Sequence, residues 1–266
     1  MIKNEKIIEN MLNYISKGDF IDLFHKINEK GIDKILDKLG FHPSTRTKKH
    51  WSDIATSSNY WLIPEIRKLW NFKISGNREM GYEEYFTKKY LNNKSNLSLL
   101  SIGSGSGAKE RNFSKFSCFD EINGIELSDI AIKDSQAKLI ENKINNVKYF
   151  LGDFKTFDFA DKKFDVILFN SSLHHFDNID DLLKNKVKNL LKNTDSFLII
   201  FEYVGPNRLQ WSDAQLMKTN ELLKTIPKEY RIKYKSSKIK KRVYRPGLLR
   251  MLLTDPSEAI DSESIL

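Results

Sequence analysis

From residue 97 onward, short apolar runs alternate with longer amphipathic stretches. The apolar runs cover residues 97–102, 120–126, 147–151, 164–170 and 196–203. Apolar runs of this length separated by helical patterns are typical of a parallel sheet, because crossover helices bury both of its faces. The alternation therefore predicts an α/β fold, with a doubly wound and mostly parallel sheet at its centre.

The residues before the first apolar run have a different period. Apolar side chains fall at helical spacing near the N-terminus and again in two blocks, around residues 59–72 and 79–91. We therefore divide the chain into a helical N-terminal cap (1–96), an α/β core (97–206) and a helical, basic C-terminal segment (207–266). Each boundary is a prediction from pattern alone.

Composition excludes several classes of protein. Hydrophobic residues make up 40% of the 266, which is enough for a packed core. The single cysteine, Cys118, excludes a disulfide framework and a multi-cysteine zinc site, and the sequence predicts no metal site. No apolar run is long enough to span a bilayer, and the N-terminus mixes both charges. The expectation is a cytoplasmic protein without a membrane span.

The net charge of +9 is concentrated in one segment. Residues 226–250 hold ten basic side chains against Glu229, so this tract alone accounts for +9, and the rest of the chain is balanced. A local basic tract predicts a negatively charged partner. The other interpretation is a solvated surface in a lysine-rich composition, and the sequence leaves both open.

The first strand of the predicted core runs into a glycine-rich loop. The segment LLSIGSGSG at 99–107 places Gly103, Gly105 and Gly107 at alternate positions. Glycines there let the backbone turn sharply and approach a ligand closely. The loop does not fit the GxxxxGK[ST] phosphate motif. It comes close to the dinucleotide pattern with Ala108 in the last position, so a nicotinamide oxidoreductase remains an alternative.

Polar side chains follow each of the next three predicted strands. Glu126 ends the second strand about 20 residues after the glycines, where a carboxylate can accept hydrogen bonds from ribose hydroxyls. Asp153 and Phe154 end the third strand, where they could meet the amino group and the face of an adenine. Asn170 ends the fourth. All lie at carboxyl ends of strands, where open α/β sheets bind ligands.

In order and spacing, these segments resemble the class I S-adenosylmethionine-dependent methyltransferases over about residues 97–206, in particular a bacterial, small-molecule or glycan-associated branch. The resemblance implies a Rossmann-like sheet and S-adenosylmethionine as cofactor. It implies the following cofactor-binding residues: Ser101, Gly103, Ser104, Gly105, Gly107, Glu126, Leu127, Asp153, Phe154 and Asn170. Ser101 stands where the family often has an acid, which leaves the amino group of the cofactor to water or another side chain.

Two histidines after the fourth strand are candidate catalytic residues. His174 or His175 could remove the proton of an alcohol acceptor, or both could be structural loop residues. The run EYVGPNRLQW at 202–211 is similar to one in bacterial methyltransferases, which implies that this segment covers the acceptor. Candidate acceptor-binding residues are Tyr82, Tyr85, Glu202, Tyr203, Arg208, Trp211, Arg242 and Arg245.

The function expected from these residues is methyl transfer to a small-molecule or glycan-linked acceptor, through oxygen and with an anionic group on the acceptor. Nucleic acid is a weaker alternative, because Asn170 is followed by Ser171, Ser172 and Leu173 rather than by the Pro-Pro-aromatic sequence of base-amine methyltransferases. A catalytically degenerate binding or scaffold subunit is the third. The sequence shows no apolar strand pair after residue 203, which predicts a longer native chain or an unusual sheet edge. An exposed edge would favour a homodimer.

Overall fold

The computed structural model describes residues 20, 24, 63–176, 178–202, 204, 212–232 and 239–244. Most of the N-terminal helical stretch, residues 1–40, lies outside the described residues, as do residues 59–62 of the next predicted block. The three-part domain division stays a prediction.

Two helices precede the sheet. Helix α1, Pro64–Ser75, begins with a proline, whose missing N–H is no loss in a first turn, and it ends at Gly76 with φ of 76°. Helix α2, Tyr82–Tyr90, has acidic residues in its first turn and basic residues in its last. Both match the orientation of the helix dipole. These helices confirm the two helical blocks predicted before residue 97.

Five parallel strands form one sheet in the order β3-β2-β1-β4-β5. The strands are β1 (Leu97–Ile102), β2 (Phe119–Glu126), β3 (Val147–Leu151), β4 (Val166–Asn170) and β5 (Phe197–Phe201). The bounds of β1 and β3 are those predicted. The starts of β2 and β4 differ by one and two residues, and β5 is shorter by one residue at its start and two at its end. The prediction of a doubly wound parallel sheet is confirmed.

Helices connect the strands. They are α3 (Ala108–Phe113), α4 (Asp129–Glu141), α5 (Ile179–Asp181) and α6 (Lys188–Leu190), with a π-helical stretch, Leu182–Val187, between the last two and a 3₁₀ turn, Leu173–His175, after β4. Helix α7 (Asp213–Thr225) follows β5, and a 3₁₀ turn (Lys228–Arg231) comes next. Ser212 and Gln215 form a capping box that fixes where α7 begins.

The core has two clusters, one on each face of the sheet. Leu99 on β1 packs into the cluster that contains Tyr82 and Phe113, whereas Leu100 packs into the cluster that contains Phe154 and Leu182. Neighbouring side chains of a strand point to opposite faces, so full burial of both leucines requires cover on both sides. Helices α2, α3 and α4 supply one cover, and the segment from α5 to α6 supplies the other.

The basic tract packs on α7 where the structure describes it. Ile232 and Ile239 form an antiparallel bridge, and Lys240 N–H donates to the Arg231 carbonyl at 2.7 Å. The side chain of Asn220 bonds both backbone groups of Val243. Within the described part of the chain, no helix is long and apolar enough to cross a membrane.

Candidate active site

A cavity of about 780 Å³ opens at the carboxyl end of the sheet. Its walls come from the loop after β1, from the ends of β2 to β5, and from α1, α2 and α3. Eight of the predicted cofactor residues line it: Gly103, Ser104, Gly105, Glu126, Leu127, Asp153, Phe154 and Asn170. The topology brings these residues together, because parallel strands all end at the same edge.

The glycine loop is shaped by close packing and by backbone conformation. Gly103 has φ of 70°, and a Cβ there would lie 2.7 Å from the Cβ of Ser172. Both the backbone conformation and the close contact therefore exclude a side chain. Gly105 has φ of 53° and faces open space, with no atom within 4 Å of where a Cβ would be. The loop therefore leaves room for a ligand beside Gly105.

Two of the predicted cofactor residues do not line the cavity. Ser101 is 2% exposed and lies beside the Glu110 side chain on α3. Gly107 begins α3 with φ of 71°, and its carbonyl accepts a hydrogen bond from the Tyr149 hydroxyl at 3.1 Å. Neither touches the cavity directly. Ser101 and Gly107 therefore pack beneath the glycine-rich loop.

Glu126 is held by backbone amides at the end of β2. Its Oε2 accepts from Gly105 N–H at 2.8 Å, and its Oε1 accepts from Leu127 at 2.8 Å and Ser128 at 3.0 Å. The residue is 8% exposed and lines the cavity. Because three N–H groups fix the carboxylate, it faces a ligand in one orientation, ready to accept hydroxyl donors.

The third strand ends in an aromatic corner. Phe154 is 3% exposed and packs edge-on against Phe169 and Phe176. Asp153 accepts the Lys155 N–H at 2.9 Å through Oδ1 and lines the cavity beside it. A flat, apolar ring with an amino group would meet both an apolar wall and a carboxylate here.

The fourth strand connects to the N-terminal helices through one hydrogen bond. The Tyr82 hydroxyl on α2 donates to Oδ1 of Asn170 at 2.8 Å, and the Tyr82 ring stacks on Phe201 with centroids 4.8 Å apart. Burial raises the pKa of Tyr82 well above its usual value, with Glu83 and Glu110 adding to the effect. Tyr82 is therefore a neutral hydrogen-bond donor that orients the Asn170 amide.

The two histidines have different surroundings. His175 lines the cavity, whereas Nδ1 of His174 lies 2.9 Å from Oε2 of Glu202. Glu202 also accepts the Leu173 N–H at 2.6 Å, and its side chain is 1% exposed. The rings of His174 and His175 are 4.1 Å apart. Glu202, predicted to bind the acceptor, is thus directed at His174 and at the turn after β4.

Other predicted acceptor residues lie away from the cavity or outside the description. The Tyr85 hydroxyl accepts from Lys89 at 2.7 Å on the surface of α2, and the Arg242 guanidinium lies 5.4 Å from the Tyr244 ring centroid. Neither residue lines the cavity. The remaining four lie outside the described residues: Tyr203, Arg208, Trp211 and Arg245.

The comparison that decides the family covers more than half of the chain. Residues 93–246 match the model of a family described as "Methyltransferase domain". The chain belongs to this methyltransferase family. The match begins after α2, so the two helices that wall one end of the cavity lie outside the methyltransferase domain as the family defines it.

One curated relative of this methyltransferase domain is distant in sequence. Phosphoethanolamine N-methyltransferase 2 of Caenorhabditis elegans is 25% identical over 186 residues, which cover 67% of this chain and 39% of that protein. The chain thus spans about two fifths of the length of this relative.

Solved structures that resemble part of this chain include the following two. The S-adenosylmethionine-dependent methyltransferase of Aquifex aeolicus is 16% identical with a TM-score of 0.42, over 61% of this chain and 86% of that one. PKMT2 of Rickettsia typhi, in complex with S-adenosylhomocysteine, is 19% identical with a TM-score of 0.39, over 61% and 28%.

The cofactor of this methyltransferase domain is S-adenosylmethionine, and the residues present fit it. Space is open over Gly105, and the Glu126 carboxylate is oriented towards hydroxyl donors. The Ser104 hydroxyl is buried and finds no hydrogen-bond partner among the residues that the structure describes, as expected where a ligand supplies the partner. Glu126 would hold the ribose and Asp153 the adenine, and the bound cofactor would supply an electrophilic methyl group.

The sequence analysis named Tyr82 in the opposite wall of the cavity but missed the other polar residues of that wall. Arg67, Trp70 and Asn71 reach it from α1, Glu83 from α2, and Lys109 and Asn112 from α3. These residues carry no motif, and helical spacing alone suggests that an amphipathic helix packs its apolar face. The large aromatic side chains of the N-terminal helices, Trp70 among them, were the only sequence signal for this wall.

Proposed function

We propose that this chain transfers the methyl group of S-adenosylmethionine to the oxygen of a small-molecule or glycan-linked acceptor. The observation that carries the proposal is the continuity of the cavity. One end holds Glu126 and Asp153 for the cofactor, and the other is walled by Tyr82, Phe201 and Lys109. A single space of about 780 Å³ accommodates a cofactor together with a small acceptor.

His175 is the proposed proton acceptor. Methyl transfer is an in-line displacement, so the enzyme chiefly positions the nucleophile against the methyl group. An alcohol becomes a better nucleophile as it loses its proton, and an imidazole is a competent base near neutral pH. His175 lines the cavity next to Asn170 and Ser172, at the strand ends where donor and acceptor would meet. The Asn170 amide, oriented by Tyr82, would hold the acceptor beside it.

A second candidate is methylation of a small amine. Glu83 places a carboxylate in the acceptor wall, and the C. elegans relative is named as an N-methyltransferase. An amine needs only to bind in its deprotonated form, so this reaction would not depend on His175. The two candidates therefore differ in what a His175 substitution does.

An anionic acceptor has less support than the basic tract suggested. Arg242 lies outside the cavity, and Lys109, which lines it, is paired with Glu83 at 2.7 Å. A carboxylate this close cancels most of the attraction for an anion. Nucleic-acid methylation and a non-catalytic binding role remain the alternatives when turnover on candidate acceptors is measured.

Thermal unfolding with added ligands tests the cofactor assignment, and turnover tests the base. S-Adenosylmethionine and S-adenosylhomocysteine should each raise the melting temperature, since a ligand at 100 times its Kd stabilises by about 2.7 kcal/mol. NAD should have no effect.

His175→Asn should then keep the cofactor-induced shift and lower turnover on hydroxyl acceptors by at least about tenfold. An unchanged rate would reject the base role, and no shift with either sulfur ligand would reject the enzyme.

A further inference from the structure

The wall of the cavity opposite the cofactor residues carries a partly buried ion pair between α2 and α3. Lys109 Nζ lies 2.7 Å from Oε1 of Glu83, and the Asn112 amide donates to the same oxygen at 3.3 Å. The Glu83 residue is 7% exposed, whereas the Lys109 side chain is 32% exposed. The carboxylate is thus a fixed part of the wall, and the lysine is its more accessible partner.

The second oxygen of Glu83 is available to a ligand. Both side-chain hydrogen bonds to Glu83 end on Oε1, and within the described part of the chain Oε2 accepts none. Oε2 lies beside Gly81, where a Cβ would come within 3.0 Å of it. Gly81 and Glu83 both line the cavity. Because Gly81 has no side chain, Oε2 can lie this close to the backbone, and the oxygen stays open to a donor from the cavity.

Aromatic rings complete the surroundings of this carboxylate. The Lys109 ammonium lies 4.7 Å from the centroid of the Tyr82 ring and 6.0 Å from that of Phe201. The faces of aromatic rings attract cations, most strongly where water is excluded. Lys109 therefore shows that a cation is stable at this position, between a carboxylate and two stacked rings.

We propose that Glu83, Tyr82 and Phe201 form a subsite for a cationic amine on the acceptor, in which the acceptor's ammonium displaces that of Lys109. The inference rests on the proposed methyltransferase function and narrows its substrate class to aminated small molecules or sugars. It applies whether the methylated atom is oxygen or nitrogen. Lys109 has a flexible stem and partial exposure, so its displacement into solvent restores hydration of its own charge. An anionic acceptor would instead require Lys109 in place.

Three small probes of matched size separate these alternatives: ethanolammonium chloride, ethylene glycol and sodium glycolate. Their binding is measured by thermal unfolding of the protein saturated with S-adenosylhomocysteine. We expect the cation to stabilise more than the neutral diol and the anion. Glu83→Gln should abolish this preference, and Lys109→Met should increase the stabilisation by the cation. Glu141→Gln and Lys133→Met, both on the exposed surface of α4, are the matched controls.

A double variant controls for destabilisation of the protein by the loss of one charge of the pair. Lys109→Met leaves a nearly buried carboxylate unpaired, so the double variant Glu83→Gln/Lys109→Met, which removes both charges, is measured beside it. We expect the double variant to show no preference for the cation. Strongest binding of glycolate, or an ammonium preference unchanged by Glu83→Gln, would overturn the subsite. Loss of the S-adenosylhomocysteine shift in the unmodified protein would instead reject the proposed function, so the two failures are distinguishable.

Discussion

The Tyr82 hydroxyl donates a 2.8 Å hydrogen bond to Oδ1 of Asn170, although 88 positions separate the two residues. Tyr82 belongs to α2, before the part of the chain that matches the methyltransferase family, and Asn170 ends β4 inside that part. Because the Tyr82 hydroxyl bonds the amide oxygen of Asn170, the two N–H donors of that amide point away from Tyr82. The helices before the domain thus fix the orientation of a side chain at its centre.

Tyr82→Phe should lower turnover while leaving the fold intact. The substitution keeps the ring stacked on Phe201 and removes only the hydroxyl, so Asn170 loses the partner that orients it. A hydrogen bond of this kind contributes about 1 kcal/mol, which corresponds to a roughly fivefold decrease in kcat. The decrease in kcat is measured by steady-state kinetics with any acceptor that the unmodified protein methylates. The melting shift with S-adenosylhomocysteine checks that the variant is folded. Tyr85→Phe, on the surface of the same helix, should change neither value.

Two glycines of the same loop should respond differently to alanine. At Gly103, an added Cβ meets Ser172 at 2.7 Å, so Gly103→Ala should destabilise the protein even without a ligand. At Gly105 the space is open, so Gly105→Ala should cost only the strain of a positive φ, about 1 kcal/mol. Urea unfolding without ligand measures both effects.

Gly105→Ala should weaken cofactor binding although the protein stays folded. The methyl group of Gly105→Ala would project into the space that the cofactor needs, so calorimetry should show weaker binding of S-adenosylhomocysteine to a protein that is still folded. Unchanged affinity would mean that the cofactor does not approach the loop at Gly105.

Glu110 should make the stability of the protein decrease as pH rises. Burial raises the pKa of Glu110 from its usual 4.5 to about 7, and the neighbouring Ser101, Arg111 and Lys109 offset this only in part. The folded protein then keeps a proton that the unfolded chain releases near pH 4.5. The free energy of unfolding therefore falls between about pH 4.5 and 7 and levels off above, by roughly 3 kcal/mol in all.

Glu110→Gln isolates this contribution, because the amide keeps the shape and cannot ionise. Urea unfolding at pH 5 should give similar stabilities for the two proteins, and at pH 8 the variant should be the more stable by a few kcal/mol. Glu141→Gln, on the exposed face of α4, should leave the pH dependence as it is. A difference that is the same at both pH values would contradict the assignment.

Glu202→Ala should loosen the turn that carries the histidines. The carboxylate accepts the Leu173 N–H and pairs with His174, so its removal leaves a buried donor unsatisfied, at a cost of about 1–3 kcal/mol. Loss of turnover should accompany the loss of stability, since His175 is carried by the same turn. Glu229→Ala on the surface should have no effect on the urea midpoint. Normal stability of Glu202→Ala would show that the turn is held by other contacts.

Local sequence determined the sheet and the cofactor end of the cavity. The five apolar runs predict the strands because burial of a strand depends on its own side chains, and the ends of parallel strands necessarily share an edge. Gly103 and Gly105 were readable because a positive φ, together with close packing at Gly103, leaves few alternatives to glycine. Glu126 followed from its position at the end of β2.

The sequence named Tyr82 and Glu202 for the proposed acceptor end, but the contacts that these residues make were decided by tertiary structure. Glu83 and Lys109, Tyr82 and Asn170, and Glu202 and His174 are pairs of residues far apart in sequence, and each forms only when helices and strands pack. The sequence named His174 and His175 together and could not say which of them faces the cavity. Adjacent side chains on a turn diverge according to the neighbours that each one finds. Periodicity specifies which face of an element is buried, whereas the partner of a buried polar group depends on how elements far apart in sequence meet.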